Sequence, residues 1–238
     1  MIAVSVAGIA TGANKPVTVE VGNLRVTVNG GFSPSKLPKN KLVPIAFTAS
    51  GKIATKDGTH PPALKQVILK TDKNGAINVK GIKVCKSGQL QSRDTKSAEK
   101  ACPKAIIGTG KTTVEVAFPE QKPIDVDSKL VVFNGGVSGG TTTLFIHAFF
   151  SAPVSGAIVT TVKVKKKKQG RYGLNSVATI PKIAGGNGSV KTFNLTINKS
   201  KGVLSAKCPD GKLQAHATSI FADGTKAAAT IVRTCTGT

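Results

Sequence analysis

Residues 105–118 read AIIGTGKTTVEVAF, and the fold turns on how they are read. Ala105 to Thr112 fits the loose form of a phosphate-binding loop, with alanine in the first glycine position. Such a loop must follow a strand and open a helix, because the backbone N–H groups of a helix N-terminus cradle the phosphates. Here the order is inverted: a helical pattern and Pro103 come before, and TTVEVAF alternates apolar and polar residues as a strand does. No aspartate ends a nearby apolar strand to hold magnesium. The stretch is a strand, so the chain reads as strands and turns rather than as a nucleotide-binding α/β protein.

Just upstream, Asp94 is suited to cap a helix, and Ala98, Ala101 and Cys102 then recur at helical spacing until Pro103 stops it. About two turns fall short of the ~12 residues at which an isolated helix is even marginal, so a Cys85–Cys102 disulfide is expected to hold it. Cys208 and Cys235 make a second local pair. Each bridge closes a loop worth ~3 kcal/mol and implies an oxidising compartment. The cysteines include no C-x-x-C and no finger-like spacing with histidine, so neither zinc nor any other cofactor is expected.

The rest of the chain alternates strand and turn signals. Gly22–Asn29, Pro44–Thr55 with Gly51 as a bulge, Lys129–Phe133, Thr141–Phe150, Gly156–Lys166, Leu174–Ile180, Ser189–Ile197 and Val203–Ala206 read as strands. GGFSPSKLPKNKLVP, from Gly30, reads as a crossing loop. Asn74-Gly75 predicts a hairpin of 63–71 with 76–84, and Asp223-Gly224 predicts one of 213–221 with 226–235. The second hairpin brings Cys208 to the same end as Cys235. A flat three-stranded meander would hold the outer strands ~9.6 Å apart, beyond disulfide reach, so the segment ending at Cys208 is expected to fold over the hairpin or to join a facing sheet.

Thirty-four Lys and Arg against eleven Asp and Glu give a formal net charge of +23 in 238 residues. That field favours anionic partners and solubility and says nothing of fold. Most of the charge is lysine, which recognises phosphate or base edges less specifically than arginine, so nucleic acid is not the expected partner. Lys165, Lys166, Lys167 and Lys168 form the densest run. It is read both as blunting an exposed strand edge and as an anion-binding site.

Catalytic residues are not evident. His60 lies in a turn and His216 on the C-terminal hairpin; His147, on a very apolar strand with no carboxylate or nucleophile near it in sequence, reads as a satisfied, partly buried histidine. Asp125 and Asp127 have the spacing to contact a cation, although balancing a basic surface is the commoner role. There is no Trp and one Tyr, Tyr172, so stacking platforms for sugars or bases are missing. The sequons at Asn187, Asn194 and Asn198 matter only in a source that glycosylates its exported proteins. No apolar run approaches the ~18 residues of a spanning helix. The opening residues, MIAVSVAGIATGAN, read as the distal part of a secretory signal or as a first strand.

GNLRV (22–26), SPSKLP (33–38), HPPAL (60–64), FPEQ (118–121), FNGG (133–136), PKIAGG (181–186) and LSAKCPDGKLQ (204–214) occur together with the two cysteine pairs. As a set they resemble a family of uncharacterised exported bacterial β-rich proteins, over about residues 22–235. The resemblance implies export and a single stapled β domain, and it brings no catalytic residues.

The sequence therefore predicts an all-β fold, a mainly antiparallel β-sandwich of about a dozen strands with one short disulfide-tethered helix. Residues 1–16 are expected as a flexible N-terminus or signal-peptide remnant and 17–238 as the sandwich domain, with two smaller domains dividing near 119–128 as the alternative. The expected role is that of a secreted or cell-envelope, non-enzymatic binding or structural protein whose basic surface contacts an anionic cell-wall polymer. A nucleic-acid binder, or a hydrolase with His147 or His216 beside a nucleophile, is the alternative.

Overall fold

The computed structural model describes residues 7–11, 15–153 and 155–237. Of the opening segment, residues 1–6 and 12–14 lie outside the described residues, and 7–11 form the short strand β1 (Ala7–Thr11). The next strands are β2 (Val17–Val21), β3 (Leu24–Ser33), the two-residue β4 (Lys36–Leu37), β5 (Val43–Thr55), β6 (Leu64–Asp72) and β7 (Gly75–Ile77). Helix α1 (Thr95–Ala101) precedes β8 (Ile106–Val116), β9 (Ile124–Ser138), β10 (Thr141–Phe150), β11 (Gly156–Gln169) and β12 (Tyr172–Thr179). β13 (Gly188–Ile197), β14 (Leu204–Ala206), β15 (Lys212–Phe221), β16 (Lys226–Thr234) and β17 (Thr236–Gly237) complete the chain.

Fifteen of these strands form one sheet, in the order β1-β16-β15-β6-β12-β11-β10-β9-β8-β13-β5, with β5 continuing both to β3 and β2 and to β14 and β7. β4 and β17 form a separate two-stranded ribbon. The large sheet is antiparallel except where β1 runs parallel to β16. It curls until its two ends approach one another, giving a barrel-like, nearly closed wall. At that seam Arg233 of β16 reaches across to β3: its Nε donates to Gly30 O at 2.7 Å and its Nη2 to Asn29 Oδ1 at 2.5 Å. The residues between β8 and β9 form the turn of one hairpin within this sheet.

The stretch 106–116 is strand β8, as its alternation predicts. Its glycines serve strand packing. A Cβ on Gly110 would lie 2.0 Å from Asn194 O, and one on Gly108 2.3 Å from Thr196 O, so only glycine lets β13 come this close. Before it, Asp94 caps α1 by accepting from Ser97 N at 2.9 Å, and Pro103 opens a 3-10 turn that ends it. The Cys85–Cys102 disulfide ties the helix down with Cα atoms 5.7 Å apart. Cys85, Leu90, Ala98 and Ala105 then pack on Val131, Phe133 and Phe145, the outward residues of β9 and β10.

Cys208 and Cys235 are bridged with Cα atoms 6.1 Å apart. β15 and β16 pair about Asp223-Gly224, with Gly224 at φ +88° and Lys212 opposite Thr234. β14, which leads to Cys208, leaves this hairpin and joins β5 and β7, as the length of a disulfide demands.

Four local expectations change. The Asn74-Gly75 turn makes no hairpin: both edges of β6 are taken by β12 and β15, so β7 pairs with β14 instead. Asp72 directs that turn by accepting from Asn74 N. Gly51 is no bulge, because β5 keeps register with both β3 and β13 through it, and the ring of Phe193 fills the place of its missing side chain. Gly30 to Ser33, expected in a loop, extend β3. Finally, β11 is no sheet edge as far as Lys165, which has Thr141 of β10 on one side and Asn175 of β12 on the other; Lys166 has only Leu174 of β12 opposite it, past the end of β10.

Candidate functional site

The lysine run lies at the C-terminal end of β11, and Lys165, Lys166, Lys167 and Lys168 are all exposed. Strand alternation about the buried Val164 turns Lys163 and Lys165 outward. Register places Lys165, Asn175, Lys70 and His216 side by side on neighbouring strands, a row in which Lys165 and Lys70 stand ~9.6 Å apart, or two strand spacings. The field at this row acts on His216. Burial, and then the charge of Lys70, lower the imidazole pKa below its ordinary value. His216 Nδ1 lies 2.8 Å from Thr230 Oγ1, and its ring is tilted against that of Tyr172.

Most of the carboxylates that would neutralise this surface are engaged elsewhere. Arg171 joins Asp72 at 2.6 Å and also Asp210, and Arg25 and Lys56 share Glu20. Lys129 takes Glu99, while Asp94, Asp57 and Asp223 accept local turn and cap hydrogen bonds. None of the ion pairs among the described residues includes Lys165 to Lys168 or Lys70. Asp125 and Asp127, considered for a cation, hold Lys191 at 2.8 Å and the Thr113 hydroxyl at 2.6 Å. No group of three metal-ligating side chains occurs among the described residues.

A second cluster has no counterpart in the sequence reading. Ser189 of β13, Glu115 of β8 and Asp125 of β9 lie directly opposite one another, and the loop carrying His60 folds over them. His60 Nε2 is 3.1 Å from Ser189 Oγ and its Nδ1 is 2.8 Å from Glu115 Oε1, the connectivity of a serine–histidine–carboxylate triad. Access and proton direction differ from a working triad. Ser189 is 1% exposed, and its hydroxyl donates to Pro61 O at the shorter distance of 2.6 Å, which leaves Oγ to accept from the imidazole. Burial raises the Glu115 carboxyl pKa, but Lys191 and His60 outweigh burial and hold it below its usual value. Asp125 and then Glu115 raise that of Lys191.

His147, the histidine expected to be partly buried, is fully buried beneath α1; Nε2 donates to Arg93 O at 3.0 Å and burial lowers its pKa. Its Nδ1 has no partner among the described residues, whereas His216 meets the hydroxyl of the buried Thr230.

The third feature is the interior. Inward residues of β9 and β10 such as Val132 and Leu144 are buried, whereas Phe47 and Ala49 of β5, Val67 and Leu69 of β6, Ala215 and Ala217 of β15 and Phe193 of β13 are only half-buried. They border a cavity of about 300 Å³ inside the curled sheet. A wall of about a dozen strands is wider than side chains fill unaided, and β12 and β15 supply small ones: Ser176, Ala178, Ala215, Ala217 and Ser219.

Neither the cluster nor the cavity has a signal local in sequence. Each assembles residues more than 100 positions apart, brought together only by the tertiary fold.

Compared with protein families, with curated proteins and with solved structures, the chain finds no match.

Proposed function

We propose that the protein is an exported, non-enzymatic binding protein whose lysine-rich exterior holds it to an anionic polymer of the cell envelope. The observation that carries this reading is the exposed run Lys165 to Lys168, flanked by Lys70 and free of carboxylate partners among the described residues, on a chain of net charge +23. Two disulfides accord with a place outside the cytoplasm, and no helix among the described residues is long and apolar enough to cross a membrane. The resemblance to exported bacterial β-rich proteins supports the same location. The curled sheet is read as a flattened, sandwich-like barrel, since β2, β3 and β5 share one apolar cluster with β6, β15 and β16. Charge of this kind attracts a polyanion through spacing-tolerant lysines, so binding weakens with salt.

Co-sedimentation with teichoic-acid-bearing cell walls across a salt series tests it. Binding at low salt that weakens in the Lys165→Gln, Lys166→Gln, Lys167→Gln, Lys168→Gln variant is expected, and no binding at low salt overturns it. Duplex DNA in parallel distinguishes a nucleic-acid binder, which would show the steeper salt dependence.

A hydrolase is the second reading, favoured by the Ser189–His60–Glu115 connectivity. Burial of Ser189 weighs against it. Labelling of Ser189 by a fluorophosphonate probe in the folded protein would establish it, and an unlabelled serine would dismiss it.

A further inference from the structure

We infer that the hollow of the curled sheet is a binding site for a neutral, largely apolar small molecule carrying one or two hydrogen-bonding groups, of about the size of decanol. At about 300 Å³ the cavity lies at the lower end of natural ligand pockets, ~300–1,000 Å³. It is twice the ~150 Å³ of an engineered apolar cavity that accepts benzene. Chemically its walls differ. Phe47 and Phe193 contribute broad apolar surface from β5 and β13, while β6, β12 and β15 contribute small or hydroxyl-bearing residues.

The hydroxyls of Thr71, Ser176 and Ser219 border the cavity, and none has a side-chain hydrogen-bond partner among the described residues. They are therefore free to bond a ligand's hydroxyl or carbonyl. The charged groups at the border are already engaged. Asp72 accepts from Arg171 Nε at 2.6 Å and from Gln214 N at 3.0 Å, and the Arg233 guanidinium donates to Gly30 O, Asn29 Oδ1 and Lys15 O. An ionised ligand would lose its hydration without gaining a free countercharge, so the site selects a neutral one. At the seam β1 lines the edge of β16 and β2 that of β3; no strand pairing joins the two ends, and Val17 and Val19 of β2 pack there on Ala227, Ala229 and Ile231 of β16.

The experiment is fluorescence titration of the full chain with N-phenylnaphthylamine, a neutral apolar probe, at low and high salt, followed by displacement with decanol. Saturable one-to-one binding is expected, insensitive to salt, reversed by decanol, and weakened at least about tenfold by Ala217→Phe, whose ring occupies the cavity. Should Ala217→Phe not fold, Ser176→Ala with Ser219→Ala serves: affinity for decanol falls relative to decane. Absence of saturable binding overturns the inference. So does equal binding by a folded Ala217→Phe, equal decanol preference in the serine variant, or loss of the signal with salt, which would place the probe on the exterior. Because the probe is uncharged, the result does not depend on the polymer reading.

Discussion

Two walls of the same sheet are built from the same alternation and end in different states. On the β9–β10 wall both faces are covered: Val132 and Leu144 are buried toward the interior, and Val131, Phe133 and Phe145 are buried beneath the disulfide-tied helix. On the β12–β6–β15 wall the outward face carries Lys70, Asn175 and His216, and the inward face looks into the cavity. Period two dictates which side chains share a face. It does not dictate what covers that face, and cover decides between a core and a site.

The contrast makes measurable demands. Phe133→Ala, on the covered wall, should cost ~3–5 kcal/mol by denaturant unfolding, because it leaves a void that tied surroundings cannot close. Leu69→Ala, bordering an existing hollow, should cost well under half of that; equal costs would erase the distinction between the walls. Cys85→Ser with Cys102→Ser should remove ~3 kcal/mol, and for a chain of this size each kcal/mol lowers Tm by ~2–4 °C. An unchanged Tm would mean that the helix holds without its tie.

Acid should act on the His60 cluster. Glu115 has a folded pKa below 4.5, so its contribution is fully present above that value and is lost as pH falls through the lower folded one. Folded His147 and His216 also resist protonation, so stability should already decline as pH drops below 6.5, where the unfolded chain takes up those protons. Urea midpoints measured from pH 8 to pH 3 check both steps. Glu115→Gln should flatten the acid step and leave the earlier decline intact. The smallest effect is expected from replacing Lys165 to Lys168 by Gln, since exposed lysines outside ion pairs contribute within ~0.5 kcal/mol to folding.

What the sequence made legible was local. The strand at 106–116, the Asp94-capped helix and the Asp223-Gly224 hairpin are each specified within a dozen residues, and both cysteine pairs close short loops. The Asn74-Gly75 expectation failed because β12 and β15, distant in sequence, occupy the edges that β7 would have used. Pairing over such separations also sets Ser189 beside Glu115 beneath the His60 loop and borders the cavity. The lysine run was legible as charge. That Lys165 stands between two strands, in one row with Asn175 and Lys70, was not.

The proposed anionic-polymer surface has its densest charge on β11, at Lys165 to Lys168. It is tested most directly by the salt dependence of binding to teichoic-acid-bearing cell walls, measured for the native chain and for the variant with Gln at positions 165–168. Log affinity should fall with log salt for the native chain, and the variant should bind more weakly with a shallower slope. Identical affinity and slope for the two proteins, or no binding at low salt, would contradict it.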